Sequence, residues 1–290
     1  MTLSLQVTGV RADGYHLLDA EMVTVDLADT LSFGPGSGVS VVDEVPGGLG
    51  LRGLDGGPGN LVGRALEAVG RHAAVRLVKR IPVGAGLGGG SADAAAVLRW
   101  AGCHERDVAA RLGADVPFCV VGGRARVRGI GDVVEPLPFQ ARRFVLLLVP
   151  VAMDTAQVYR AWDAMHAPGE RAQTPTAPPV ATAPAVPRGV VSVPVVAEPS
   201  GAGSETSGIA HQGSGNALEA AAITVEPQLA RWRDALGNAT GQRPRLAGSG
   251  STWFVEGDPA TLGIEDRPFL VLQGLRAPLV AVRTVPPATA

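Results

Sequence analysis

Short alternations of apolar and polar residues open the chain and predict β-structure at its N-terminal end. Residues 3–7 alternate strictly, and residues 22–27, 30–33 and 39–42 form further short apolar runs between Gly- and Pro-rich connections. A period of two places every second side chain on the same face of a strand. We therefore expect an antiparallel β start whose first strand is half-buried.

Helical periodicity follows in the next part of the chain. Asn60 is a suitable N-cap for a helix over residues 61–71, where apolar residues recur on one face. Residues 93–101 and 105–112 predict two more helices. The apolar run at 118–121 predicts a short buried strand.

The second half of the chain begins with an apolar run at 144–149, which we interpret as the first strand of a second domain, followed by a helix over 155–165. From about 167 to 215 Pro, Ala, Thr, Ser, Val and Gly dominate, which predicts a disordered or loosely extended insertion. Order returns with helices near 216–219 and 227–236 and strands at 253–255, 269–272 and 279–285. The pattern predicts an α+β protein with domains at 1–140 and 141–290.

Composition excludes several classes of protein. The 290 residues are 46% hydrophobic with a net charge of −2, so no strong field attracts nucleic acid or a membrane surface. The two cysteines form neither a disulfide framework nor a metal-ligand spacing, and no apolar run approaches the length of a membrane span. We expect a cytoplasmic protein with no metal site built from its own residues, and its oligomeric state stays open as a monomer or homodimer.

The stretch from Pro82 to Ala96, PVGAGLGGGSADAAA, carries the clearest chemical signal. It lies between a predicted strand at 75–81 and a predicted helix. Glycines admit positive φ and let a ligand approach the main chain, and a helix N-terminus attracts an anion. Nucleotide phosphates are the natural ligand, although the stretch matches neither a Walker A loop nor a dinucleotide-binding motif. A flexible Gly-rich turn is the simpler alternative.

Several separated motifs resemble one group of enzymes. Residues 84–91 resemble the phosphate loop of the galactokinase, homoserine kinase, mevalonate kinase and phosphomevalonate kinase superfamily. Within it, Arg-Ala-Asp-Gly-Tyr-His at 11–16 is similar to a signature of the 4-diphosphocytidyl-2-C-methyl-D-erythritol kinase family. Residues 113–117 resemble the catalytic-aspartate segment, 216–219 the Asn-Asp-Leu-Glu helix start, and 248–250 the third glycine motif.

This resemblance implies an ATP-dependent kinase that phosphorylates the 2-hydroxyl of 4-diphosphocytidyl-2-C-methyl-D-erythritol, in the non-mevalonate route to isoprenoid precursors, with Mg²⁺ as the accompanying ion. It also implies an N-terminal domain like domain 2 of ribosomal protein S5 and a ferredoxin-like C-terminal domain, with the active site in the cleft between them. Two alternatives stay open: another small-molecule kinase of the superfamily, and a catalytically weakened nucleotide-binding homologue.

The resemblance also implies roles for individual residues. Asp115 is the candidate base that accepts the proton of the acceptor hydroxyl. Tyr15 stacks on the cytosine ring and His16 hydrogen-bonds its polar edge, with Asp13 and Thr155 also near the substrate. The residues assigned to ATP are Pro82, Val83, Gly84, Ala85, Gly86, Leu87, Gly88, Gly89, Gly90, Ser91, Ala92, Ser249 and Gly250.

Each role has a structural alternative. Asp115 also fits a turn before a proline, and Ser91 fits a helix N-cap as well as a ligand of phosphate or Mg²⁺. Thr155 fits a helix cap, and residues 249–250 fit a tight turn. On composition alone, the Tyr-His pair fits partly buried packing.

The start of the chain departs from the family pattern. The family's first strand begins with Ala-Lys-(Ile/Leu)-Asn, and its lysine works with the catalytic aspartate. Here the resemblance places Thr2 at the Asn position and the lysine before Met1. Lys79, the only lysine in the sequence, lies on the strand before the glycine stretch and is no obvious replacement. We expect either that the native protein begins upstream or that it is a divergent, weakened enzyme.

Overall fold

The computed structural model describes residues 1–49, 55–166 and 215–287. Residues 167–214, which hold almost all of the predicted insertion, lie outside the described residues. None of the helices in the described parts of the chain has the length and apolar character that crossing a bilayer requires.

A four-stranded antiparallel sheet contains the start of the chain. Its strands are β1 (Thr2–Val10), β2 (His16–Val23), β6 (Arg124–Gly129) and β7 (Val133–Leu137), in the order β1-β2-β6-β7. The predicted first strand is confirmed, because β1 contains residues 3–7. The strand predicted at 22–27 instead ends at Val23.

A second sheet of three strands precedes the glycine stretch. It consists of β3 (Thr30–Gly34), β4 (Gly38–Asp43) and β5 (Ala74–Lys79), with β5 antiparallel to β3 and parallel to β4. Helix α1 (Leu61–Ala68) connects the two parallel strands. As predicted, Asn60 is its N-cap, and the Asn60 side chain accepts the Val62 N–H at 2.9 Å.

Three helices follow the glycine stretch: α2 (Gly89–Trp100), α3 (Arg106–Leu112) and α4 (Val116–Val121). The strand predicted at 118–121 is wrong, because these residues belong to α4. A short apolar run cannot distinguish a buried strand from a buried helix by periodicity. Pro117 in the first turn favours the helix, and Gly122 with φ of 69° ends it.

A five-stranded antiparallel sheet organises the rest of the chain. Its order is β11-β12-β8-β10-β9, formed by β8 (Arg143–Leu147), β9 (Arg245–Leu246), β10 (Trp253–Glu256), β11 (Phe269–Leu272) and β12 (Leu275–Arg283). The predicted apolar strand is confirmed as the central strand β8, where Leu147 pairs with both Trp253 and Leu279. Helices α5 (Thr155–Met165), α6 (Glu219–Val225) and α7 (Gln228–Thr240) accompany this sheet.

Two large buried clusters place the glycine stretch at a junction. In one cluster, Met22 and Val127 of the four-stranded sheet pack with Leu147, Trp253 and Trp232 from the second half of the chain. In the other, the three-stranded sheet packs against α1, α2 and α3. The glycine stretch leads from β5 into α2 and therefore lies where these two packed units meet.

Candidate active site

A cavity of about 960 Å³ lies at this junction. The structure brings most of the predicted site residues together in its wall. They are every residue from Pro82 to Ser91, together with Tyr15, His16, Asp115, Thr155 and Ser249. Asp13, Ala92 and Gly250 are not among the residues that line it.

The glycine stretch is docked against the second half of the chain through its backbone. The carbonyl of Gly84 accepts the Met153 N–H at 3.0 Å, and the carbonyl of Ala85 accepts the Thr252 N–H at 3.1 Å. Gly86 has φ of +73°, and a Cβ there would lie 2.3 Å from the Ala247 carbonyl oxygen. No side chain fits in that space, so the close approach of the two segments requires glycine at this position.

The N-terminus of α2 opens on the cavity without a side-chain cap. Gly88, with φ of 70°, occupies the N-cap position, and its carbonyl accepts the Ala92 N–H at 2.9 Å. Gly89, Gly90 and Ser91 precede that bond, so their N–H groups have no partner within the helix. Ser91 stands in the first turn, and its N-cap alternative is wrong. The exposed N–H groups and the helix dipole make this end suitable for an anion.

Asp115 faces this helix start across the cavity. Its Oδ2 lies 3.7 Å from the position that a Cβ on Gly88 would occupy. Asp115 lies in the turn before α4, as the turn alternative expected, yet its side chain makes no capping hydrogen bond to that helix. Burial raises the pKa of the Asp115 carboxyl above its usual range.

A buried ion cluster, which was not predicted from the sequence, lies beneath the same helix start. Lys79 Nζ contacts the carboxylate of Asp29 and lies 2.8 Å from Oδ2 of Asp93. All three side chains are at most 5% exposed. The ammonium also lies 3.2 Å from where a Cβ on Gly89 would be. The lysine at the end of strand β5 and the aspartate at the fifth position of helix α2 were the available signals in the sequence.

The cluster joins three segments of the chain and sets two carboxyl groups against one ammonium group. Asp29 Oδ1 also accepts the backbone N–H groups of Arg80 at 2.6 Å and Ile81 at 2.9 Å, where the strand enters the glycine stretch. Burial, together with the neighbouring Asp29, raises the pKa of Asp93 to about 7 against the opposing effect of Lys79.

Tyr15 projects from the turn between β1 and β2 with 58% of its surface exposed. The Arg11 guanidinium lies over its ring, 5.3 Å from the centroid. Asp13 holds that guanidinium through hydrogen bonds from Arg11 Nε of 2.8 and 3.0 Å. Asp13 also accepts the Tyr15 N–H at 3.4 Å, so it holds Tyr15 both directly and through Arg11, and it does not line the cavity itself.

His16 lies deeper in the cavity among residues of α5. Its Nε2 is 3.0 Å from Oδ1 of Asp163. The Tyr159 ring is tilted against it with centroids 4.6 Å apart, and Trp162 meets it edge-on at 5.5 Å. Tyr159 was not among the residues predicted from the sequence, although it lies one helical turn after Thr155 and so faces the same side.

Thr155 begins α5 but does not cap it. Asp154 is the N-cap and accepts the N–H of Ala156 at 2.8 Å, so the cap alternative for Thr155 is wrong. The Thr155 hydroxyl instead lies 2.8 Å from the Ser249 hydroxyl. This hydrogen bond joins the start of α5 to the third glycine motif.

Hydrogen bonds from the Asn216 side chain hold the turn at 248–250. The Asn216 side-chain amide donates to the carbonyls of Leu246 at 3.0 Å and Gly248 at 2.6 Å. The Gly250 N–H donates to Ala247 O at 2.9 Å, which occupies that donor within the turn. Ser249 is thus the member of the predicted Ser249–Gly250 pair that reaches the cavity.

A preformed metal centre is not visible in the described part of the chain. No group of three or more His, Cys, Asp and Glu side chains there could hold a metal ion.

The chain is similar to known kinases along most of its length. Residues 60–123 match the model for the GHMP kinases N terminal domain. The 4-diphosphocytidyl-2-C-methyl-D-erythritol kinase of Paracoccus denitrificans is 37% identical over 256 residues, covering 88% of this chain and 83% of that protein. The enzyme of the same name from Paramagnetospirillum magneticum is 36% identical over 273 residues, covering 88% and 85%.

A solved structure of the same kind of enzyme also matches. The crystal structure of a 4-(cytidine 5′-diphospho)-2C-methyl-D-erythritol kinase superposes with a TM-score of 0.61 at 28% identity, covering 98% of this chain and 96% of that chain.

Proposed function

Because this chain belongs to the 4-diphosphocytidyl-2-C-methyl-D-erythritol kinase family, we propose that it transfers the γ-phosphoryl group of ATP to the 2-hydroxyl of 4-diphosphocytidyl-2-C-methyl-D-erythritol. It is an ATP-dependent kinase with a mixed helix-and-sheet fold. The observation that carries the proposal for the site is one cavity lined by the glycine stretch, Asp115 and the Tyr15–His16 pair. That juxtaposition supports a site for two substrates.

The phosphates of ATP bind at the N-terminus of α2. The N–H groups of Gly89, Gly90 and Ser91 supply donors there, and the glycines let the phosphates approach the main chain. In phosphoryl transfer, catalysis comes mainly from positioning and from stabilising charge on the transferred group. A preorganised set of backbone donors contributes to both.

Asp115 receives the proton of the attacking hydroxyl. Its carboxylate faces the helix start, and burial raises its pKa. A raised pKa makes a carboxylate a stronger base while it is still ionised at neutral pH. The acceptor hydroxyl therefore lies between Asp115 and the γ-phosphate.

The cytosine ring binds at the other end of the cavity, near Tyr15 and His16. Tyr15 is held by Arg11 on one side, and Tyr159 also lines the cavity. Stacking of a base on an aromatic ring contributes about 1–3 kcal/mol. When the substrate binds, its cytosine ring stacks on the exposed ring of Tyr15.

Mg²⁺ accompanies the ATP. The Ser91 hydroxyl is a hard oxygen donor at the phosphate end of the cavity, and few protein ligands suffice because Mg²⁺ keeps several waters and binds substrate phosphates. When bound, the ion neutralises phosphate charge.

The finer architecture belongs to the same proposal. We assign residues 1–140 to an N-terminal domain resembling domain 2 of ribosomal protein S5, and 141–290 to a ferredoxin-like domain, with the substrates in the cleft between them. A cytoplasmic location and a monomeric or homodimeric state stay predictions.

An ADP-release assay tests this function. The purified chain is given Mg²⁺-ATP with the cytidylyl substrate, with homoserine, or with mevalonate. ADP release only with the cytidylyl substrate is the expected result. Release with homoserine or mevalonate instead would assign the chain to another reaction, and ATP binding without release on any acceptor would favour a weakened homologue.

Tyr15→Ala tests the base-binding end separately. Loss of stacking raises the KM for the cytidylyl substrate about tenfold or more while the KM for ATP changes little. Leu275→Ala, which also truncates an exposed apolar side chain but lies on β12, serves as the control and leaves both constants unchanged.

A further inference from the structure

His16 and Asp163 form a hydrogen-bonded pair in the wall of the cavity. The His16 ring is largely buried, with its side chain 11% exposed, and Asp163 approaches it from α5. Both residues line the cavity. The pair therefore stands where a bound base would meet the protein.

The ring of His16 is held in one orientation. Tyr159 covers it at 4.6 Å, Trp162 contacts it edge-on at 5.5 Å, and the Nε2 atom faces the Asp163 carboxylate at 3.0 Å. Turning the ring over would place a carbon against the carboxylate and lose that hydrogen bond. The two ring nitrogens consequently have distinct environments.

This environment selects a tautomer. A carboxylate only accepts hydrogen bonds, so Nε2 carries the proton when the imidazole is neutral, and Nδ1 keeps its lone pair. Among the described residues, Asp163 is the hydrogen-bond partner of the His16 side chain. Nδ1 is therefore left as an acceptor for a ligand.

We propose that Asp163 is a positioning residue that makes this site select a pyrimidine with an exocyclic amino group, because it keeps Nδ1 of His16 a hydrogen-bond acceptor. The inference rests on the proposed function, which puts a cytosine at this end of the cavity. The amino group of cytosine donates to such an acceptor. Uracil has a carbonyl oxygen at the same ring position. That oxygen would face the lone pair of His16 Nδ1 with no hydrogen atom between them, so no hydrogen bond would form.

Nuclear magnetic resonance of the histidine ring nitrogens tests the tautomer without any substrate. The chain has five histidines, and His16→Gln identifies the signals of His16. At pH 8 we expect a protonated Nε2 and an unprotonated Nδ1, and a mixture of tautomers in Asp163→Ala. An Nδ1-protonated ring in the unaltered chain would overturn the proposal.

Calorimetric binding of CDP and UDP tests selectivity without turnover. Asp163→Ala lowers the affinity for CDP about tenfold relative to the affinity for UDP, since one directed hydrogen bond is lost. Asp163→Asn retains an amide oxygen that can accept from Nε2, so it loses less selectivity than Asp163→Ala. Equal losses for CDP and UDP in both variants would mean that Asp163 only supports the local packing.

Asp234→Asn is the matched control, because it removes an exposed carboxylate on α7 that does not line the cavity. It leaves the CDP-to-UDP affinity ratio unchanged. These binding measurements also separate the two proposals. A chain that prefers CDP through Asp163 but releases no ADP refutes the kinase proposal alone, and a chain that turns over equally well with cytidine and uridine substrates refutes this inference alone.

Discussion

The ammonium nitrogen of Lys79 lies 2.8 Å from Oδ2 of Asp93, directly beneath the first turn of the helix that faces the cavity. Asp29 contacts the same nitrogen and also binds the backbone that leads into the glycine stretch. A cation alone would be unfavourable at a helix N-terminus. The two carboxylates offset that cost, and the cluster ties the strand, the glycine stretch and the helix together.

Replacing the lysine tests how much this cluster stabilises the fold. Lys79→Met leaves two buried carboxylates without their cation and lowers the free energy of unfolding by about 3–5 kcal/mol. Chemical denaturation monitored by circular dichroism measures this change. Arg80→Gln removes the neighbouring cation from an exposed pair with Glu44 and costs at most about 1 kcal/mol. Equal stability of the two variants would contradict the assignment.

The pH dependence of stability tests the shifted pKa of Asp93. The pKa is raised to about 7 in the folded protein from a reference value of 3.8, so between these values the folded state holds a proton that the unfolded state has released. The contribution of this group is fully present below about pH 4 and is lost as the pH rises towards 7.

Asp93→Asn removes this titration while keeping a polar side chain. The free energy of unfolding is measured for the variant and for the unaltered chain from pH 4.5 to 7.5. We expect the variant to become more stable relative to the unaltered chain as the pH rises, by at most about 1.4 kcal/mol per pH unit. A constant difference across this range would show that Asp93 does not titrate there.

The proposed base is tested by Asp115→Asn. The amide cannot accept the hydroxyl proton, so turnover falls about 10²-fold or more while ATP binding is nearly unchanged. The unaltered chain also loses activity as the pH falls through the raised pKa of Asp115, and the variant's residual rate lacks this dependence. Near-normal turnover of the variant would remove Asp115 from the mechanism. Asp107→Asn, which removes a carboxylate from α3, is the control.

The docking of the glycine stretch is tested by Gly86→Ala. The added Cβ would lie 2.3 Å from the Ala247 carbonyl oxygen and 2.6 Å from that of Gly250, at a positive φ. The stretch must move, which weakens ATP binding and lowers the melting temperature. Gly63→Ala on α1 meets no atom within 4 Å and stabilises the chain by about 1 kcal/mol or less. Unchanged ATP affinity in Gly86→Ala would contradict this packing.

The sequence predicted the local features of the site because their causes are local. A glycine stretch between a strand and a helix indicates an open helix N-terminus, and that is what surrounds Gly88 and Ser91. The central strand β8 followed from an unbroken apolar run. The strand predicted for the short run at 118–121 was wrong, because a run of that length fits a helix as well as a strand. Pro117 in the first turn favours the helix.

Contacts between distant segments depended on the tertiary structure. Asp29 meets Lys79, Asp163 meets His16, and Thr155 meets Ser249 across 50, 147 and 94 positions of sequence. The sequence by itself determined most of the elements, the open helix N-terminus and the family, because hydrophobic period, glycine and motif spacing act over a few residues. Only the folded chain decided which charges are buried together and which nitrogen of His16 faces Asp163, because these follow from how the segments pack.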